Sequence, residues 1–153
     1  MTKSKEKKKK SKKKDSKKLI VTKNEFLSLR PVVSPFVQQK RKTDKDLLLK
    51  IDLRELKKKS LLRRIAPIPD TKKILLDKLG KEVFLLCDGK HKVKDIIKEF
   101  QAKYRLTLTE TEIAVQKYLM SLTERHLIGF MIPEEMVRKK QLTGEAIEKV
   151  VIE

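Results

Sequence analysis

The chain has 153 residues, with 40 Lys and Arg against 21 Asp and Glu and a formal net charge of +19. That length allows one ordinary domain plus charged tails, not two full domains. Trp is absent and aromatics reach only 5%, which argues against an aromatic-lined sugar or nucleobase site, and the one Cys excludes a disulfide framework and any Cys-based zinc site.

A single Cys also fits a reducing compartment such as the cytoplasm. No apolar run approaches the roughly 18–20 residues that span a bilayer. The lysine-rich start lacks the apolar stretch of a signal peptide.

The charge is uneven. Residues 1–18 hold 11 Lys and two acids, a net +9; residues 19–64 hold 13 basic and five acidic residues, a net +8; residues 65–153 hold 16 and 14, a net +2. After Met1 the first 18 residues contain nothing apolar. Such a segment cannot bury enough surface to offset its ordering entropy, so residues 1–23 are expected to form a disordered Lys-rich arm. The arm reads equally as a seeker of polyanions or as a solubilising tail.

Residues 30–41 mix β-branched and aromatic side chains with Pro31 and Pro35, which limits them to a short or edge strand. Residues 42–46 read as a turn and 46–53 as a second strand, together a hairpin. A basic stretch runs from Lys57 to Arg64, and Pro67 and Pro69 mark a loop. Residues 72–76 form a short third strand.

The period then becomes helical. Leu76, Leu79, Val83, Phe84 and Cys87 share a stripe, with Asp77 as N-cap and Asp88-Gly89 as the stop. Val93, Ile96, Ile97, Phe100 and Tyr104 mark a second helix. Thr109 with Glu112 predicts a capping box for a third, whose stripe is Val115, Tyr118, Leu119 and Leu122. Residues 127–132 predict a last strand, closed by Pro133. Residues 143–151 read as a weak extra helix. The expectation is an α+β, winged helix-turn-helix domain over residues 24–132: an N-terminal β-hairpin, three short strands in all, followed by three helices. Residues 133–153 are a C-terminal extension with room for a short helix.

Between Lys72 and Phe130 an ordered set of pieces stands out. Leu76-Asp77 with Gly80 is followed by Leu86-Cys87-Asp88-Gly89, then Val93 with Ile97, then Leu119 with Leu122 and Leu127-Ile128. This set resembles the coenzyme PQQ synthesis protein D (PqqD-like) family over about 60 of the 153 residues. The family pattern has Thr before the valine that opens the second helix. Here Lys92 stands there and cannot accept an N-cap hydrogen bond, a loss of about 1 kcal/mol.

The resemblance implies a RiPP recognition element, not an enzyme. Such a module captures the leader of a ribosomally made precursor peptide and presents it to a radical SAM maturase. The maturase would hold the iron–sulfur cluster and S-adenosylmethionine, so no cofactor is expected on this chain. The leader would add as a strand beside the third strand and lie against the third helix. On this sequence the receiving residues would be Lys72, Lys73, Ile74 and Leu75, with Lys117, Tyr118 and Ser121 lining a groove. Tyr118 also belongs to the apolar stripe and reads better as core than as groove lining. The charge of Lys72, Lys73 and Lys117 favours an acidic leader.

Other chemistry has little to stand on. Cys87 sits on a buried stripe and reads as a small core hydrophobe. His91 reads as solvated, and His126 as a cation at a helix end. Two isolated histidines make no metal site, and there is no P-loop, GxGxxG or Ser/His/Asp set. Gly80, Gly89, Gly129 and Gly144 suit turns and packing better than phosphates.

The rival class is a nucleic-acid-binding winged helix that uses the basic arm for sequence-independent phosphate contacts. Its would-be recognition helix, Thr109 to Arg125, carries Glu110, Glu112 and Glu124 against Lys117 and Arg125, a net −1. A bland protein adaptor using the same edge is a third reading. Oligomeric state stays open, since an unpaired edge strand also permits self-association.

Overall fold

The computed structural model describes residues 18–54, 69–140 and 149–152. Alternation builds its central sheet. Along β4 (Leu47–Asp52), Leu47, Leu49 and Ile51 are buried, while Leu48, Lys50 and Asp52 stay partly exposed on the opposite face. β3 (Val37–Lys42) and β5 (Thr71–Leu76) flank it in an antiparallel meander of order β3-β4-β5. Leu47 pairs with Leu76, Leu49 with Ile74 and Ile51 with Lys72. The β3–β4 turn closes locally: the Asp46 N–H donates to Thr43 Oγ1 at 2.9 Å. Lys81 then pins the turn by donating to the Thr43 and Asp44 carbonyls.

The expected hairpin is thus present, but residues 30–41 do not form one strand. Pro35 and Phe36 turn the chain, and the segment before them becomes a separate strand, β2 (Arg30–Val33). β2 pairs antiparallel with β6 (Ile128–Met131), placing Pro31 opposite Phe130. Pro31 has no N–H to give, but its carbonyl accepts from the Gly89 N–H at 2.8 Å.

Three helices follow β5. α2 (Lys78–Leu85) starts where Asp77 Oδ1 accepts from the Gly80 N–H at 2.8 Å, as the sequence predicts. It ends before Gly89, whose φ of +77° needs a glycine. α3 (Val93–Tyr104) keeps the predicted bounds despite Lys92. Other groups take over the missing cap: the Asp95 carboxylate accepts from the Lys92 N–H at 3.0 Å, and the Val93 N–H donates to the Leu29 carbonyl at 2.9 Å.

α4 (Leu108–Glu124) begins two residues before the predicted start. Thr107, not Thr109, is the N-cap, and Glu110 completes the capping box. The sequence holds two overlapping Thr-x-x-Glu patterns. The earlier one wins because it leaves Thr111 inside the first turn, fully buried, with its hydroxyl donating to the Thr107 carbonyl at 2.8 Å.

The chain ends add a second layer. β1 (Lys18–Val21) leads into α1 (Lys23–Ser28) through a Thr22–Glu25 capping box. β1 runs parallel to β7 (Lys149–Ile152), with Leu19, Val21 and Val150 buried. The boundary expected at residue 23 therefore falls inside ordered chain, because Leu19 and Val21 reach the core. Residues 1–17 of the arm lie outside the described residues. The helix predicted over residues 143–151 is corrected at its end: Val150, Val151 and Ile152 are β-branched and pair as a strand. Residues 141–148 lie outside the described residues, as does the basic stretch from Lys57 to Arg64. α5 (Glu134–Lys139) precedes Lys140, whose ammonium donates to the Ile20 carbonyl and pairs with Glu25 at 3.0 Å. The Thr22 backbone and then Lys140 hold the Glu25 carboxyl below its usual range.

One core joins these parts. Phe26, Leu29, Leu49, Ile51, Phe84, Ile96, Leu119 and Leu122 are all fully buried in it. Each large apolar side chain there contributes about 1.5–3 kcal/mol. Phe26 meets Phe130 edge to face at 5.5 Å, which ties α1 to β6. The molecule is mixed α+β, with a three-stranded meander, three consecutive helices and a returning strand. Among the described residues no helix is long and apolar enough to cross a membrane.

Candidate functional site

β5 lies at one edge of the meander, and no described strand pairs with its outer side. Antiparallel pairing sends backbone groups alternately to the two sides of a strand. Two bonds fix the parity here. The Leu53 N–H donates to the Asp70 carbonyl at 2.8 Å, and the Asp52 N–H donates the other way, to Phe36 in the chain leading to β3, at 2.9 Å. With the observed register, Lys72, Ile74 and Leu76 turn their N–H and C=O groups to β4. Thr71, Lys73 and Leu75 turn theirs outward, to a ladder left open by the described strands.

The side chains divide by the same period of two. Ile74 and Leu76 point into the core. Lys73 and Leu75 project from the outer face, and Leu75 is 65% exposed, unusual for a leucine beside a folded core. Lys72 shares parity with Ile74 but lies at the exposed end of the strand. Of the four residues expected on the receiving strand, Ile74 thus contributes backbone position and core packing, while Lys72, Lys73 and Leu75 stay accessible.

Tyr118 binds α4 to the end of this strand. It is half-buried against the core, and a side chain at Gly80 would overlap its hydroxyl. Gly80 is the third residue of α2, directly after β5, so its missing Cβ is what admits the ring. Burial raises the Tyr118 phenol above its usual range, and the nearby Asp77 carboxylate adds to the rise. Ser121 follows Tyr118 by three positions and shares its flank of the helix; it is partly buried. Lys117 is exposed at the rim of that flank. The packing of Tyr118 agrees with its place on the apolar stripe, and its contact with Gly80 sets its helix flank beside the start of α2.

Two residues beside the edge were not anticipated. Leu79, in the first turn of α2, is half exposed. Lys50 stands directly opposite Lys73 across β4 and β5. The spacing of Leu79 matches the buried stripe of α2, but its position in the first turn leaves it half exposed. Lys50 was invisible because its register with β5 is set across the intervening residues 55–68.

The remaining candidates have structural surroundings. Cys87 is fully buried, its thiol donates to the Val83 carbonyl at 3.2 Å, and burial pushes its pKa up to about 12. It packs as a core side chain. Asp88 organises the turn after α2. Burial works to raise its pKa, but the His91 and Lys90 N–H groups and the His91 ring outweigh that and hold it at about 2. His91 Nδ1 lies 3.0 Å from the Asp88 carboxylate. His126 is exposed. Among the described residues no group of His, Cys, Asp and Glu is placed to hold a metal ion. A cleft of about 650 Å³ lined by Arg30, Lys92, Met131 and Met136, among others, contains none of the β5 or α4 candidates.

Comparison with known proteins agrees with the segment that carries this edge. No curated protein and no solved structure matches the chain. Residues 68–128 match the family described as coenzyme PQQ synthesis protein D (PqqD). That span takes in β5, α2, α3, α4 and the first residue of β6, with all seven residues expected at the site. Over residues 68–128 this chain is therefore similar to the PqqD family, as the sequence pattern from Lys72 to Phe130 implies.

Proposed function

We propose that the chain is a non-catalytic recognition module that binds the leader of a ribosomally made precursor peptide and presents it to a radical SAM maturase. The family match supports a peptide-binding partner role in general. The observation that carries the reading is the open outer ladder of β5 at Thr71, Lys73 and Leu75, within the matched segment. A leader would add there as a strand through backbone bonds, with Lys72, Lys73 and Leu75 around it and Lys117, Tyr118 and Ser121 on the neighbouring helix. Ile74 would serve by its backbone place in the strand. The meander, three helices and returning strand support a winged-helix reading of the fold. The module would work beside its maturase in the cytoplasm, with no cofactor of its own.

The nucleic-acid reading lacks comparable support. Glu110 is spent on the α4 capping box, and Glu112 pairs with Lys23 at 2.5 Å, so the N-terminal turns of α4 present fixed acids rather than free cations.

The test is a pull-down from nuclease-treated lysate of the source with the full chain as bait and Leu75→Pro as matched control. Proline at position 75 removes an outward N–H and no bond to β4. Recovery of a short precursor peptide with a radical SAM enzyme, and their loss with the variant, is the expected result. Partners held equally by the variant, or lost only on nuclease treatment, overturn the reading.

A further inference from the structure

The outer face of the meander carries an unresolved charge pattern. Lys50 on β4 and Lys73 on β5 are direct cross-strand partners, and both lie on the face opposite Leu47, Leu49 and Ile51. The parity derived above makes theirs a non-hydrogen-bonded pair, the closer of the two antiparallel geometries. Like charges so placed repel. Neither lysine forms an ion pair among the described residues. The one acid on the same face of β4, Asp52, is already clamped by the Arg54 guanidinium, at 3.0 Å from Nε and 2.5 Å from Nη2. The next row along the sheet is apolar: Leu48 pairs with Leu75. Two adjacent rows, one cationic and one apolar, therefore stop at the open edge of β5.

We propose that β5 selects a peptide strand with an apolar residue opposite Leu75 and an acidic residue opposite Lys73. In antiparallel addition, the pairing already used throughout this meander, the bound strand reads apolar-x-acidic from N to C terminus. Its apolar side chain continues the Leu48–Leu75 row. Its carboxylate continues the Lys50–Lys73 row and relieves the repulsion there. The residue between them turns to the other face, toward the Ile74 side of the sheet. Register follows from the alternation, because a slip by one residue sends both side chains to the wrong face. This inference rests on strand addition at β5 and adds to it the chemistry and spacing of the ligand.

The experiment titrates the full chain with three blocked seven-residue peptides, Ser-Thr-Leu-Thr-Glu-Thr-Ser and its Glu→Lys and Leu→Ser versions, and reads the backbone amides of Thr71, Lys73 and Leu75 by NMR. The parent is expected to shift those amides and to bind about tenfold more tightly than the Lys version. Lys73→Glu is expected to reverse that order, and it removes a repulsion, so it should fold. If all three peptides shift the same amides with equal affinity, strand addition stands and the proposed selectivity falls. If none shifts them, strand addition itself falls and takes the selectivity with it.

Discussion

β2 and β5 are both short strands, yet the chain treats them differently. β2 is occupied on both sides. One side pairs with β6, and the other meets the turn after α2, where the Val33 N–H donates to the Cys87 carbonyl and the Gly89 N–H donates to Pro31. Among the described residues β5 pairs on one side only. The same molecule that closes β2 with a proline, a glycine turn and a strand from about a hundred residues away leaves the outer side of β5 without a strand partner among the described residues. An edge left open beside an exposed leucine is a liability for aggregation unless something binds it. β1, β3, β6 and β7 also have one described strand partner each, so what marks β5 as a candidate site is its edge together with the exposed Leu75 and its place in the matched segment.

The sharpest way to break the comparison is to place proline at neighbouring positions of β5. Ile74→Pro removes a bond to β4 and a buried side chain, and should cost more than about 3 kcal/mol in urea unfolding. Leu75→Pro removes only an outward N–H and should cost less than about 1 kcal/mol. Equal losses would mean that the assigned parity is wrong.

The seat of α4 on the strand end comes next. Gly80→Ala collides with Tyr118 and should cost about 1–3 kcal/mol. Tyr118→Phe in the same chain removes the overlapping hydroxyl and should restore part of the loss, which a double-mutant cycle on thermal unfolding would show. Gly89→Ala tests the closed strand instead. Its φ of +77° penalises any side chain, and a loss of about 1–2 kcal/mol is expected.

The smallest effect is a pH dependence in the same turn. The Asp88 pKa is depressed from 3.8 to about 2. Its contribution is therefore fully present above pH 3.8 and is lost as pH falls from there toward 2. The urea midpoint of the wild type should fall across that window more steeply than that of Asp88→Asn.

Local signals in the sequence carried much of this fold. The Asp77 cap, the stripe of α3 and the strand at Leu47 to Asp52 depend on near neighbours, and each is legible from residue type and spacing. The start of α4 was ambiguous because Thr107 and Thr109 head equally good capping patterns; only the burial of Thr111 decides. The split of residues 30–41 and the strand at Val150 to Ile152 depend on partners far along the chain, which spacing does not reveal. The site was half legible for the same reason. Lys72 to Leu75 could be named from the family pattern. Which of them face outward follows from the ladder with β4, and the partnership of Lys50 with Lys73 follows from a register set across the intervening residues.

Cys87 carries a consequence of its own. It is the only cysteine in the chain, it is fully buried, and its thiol is held near pKa 12. Alkylating reagents attack the exposed thiolate, so the folded molecule should be inert to them at neutral pH. Any modification must pass through an opening that frees the end of α2 and the turn beside β2. The labelling rate of one sulfur atom therefore serves as a clock for how often the core opens, with no probe added and no residue changed.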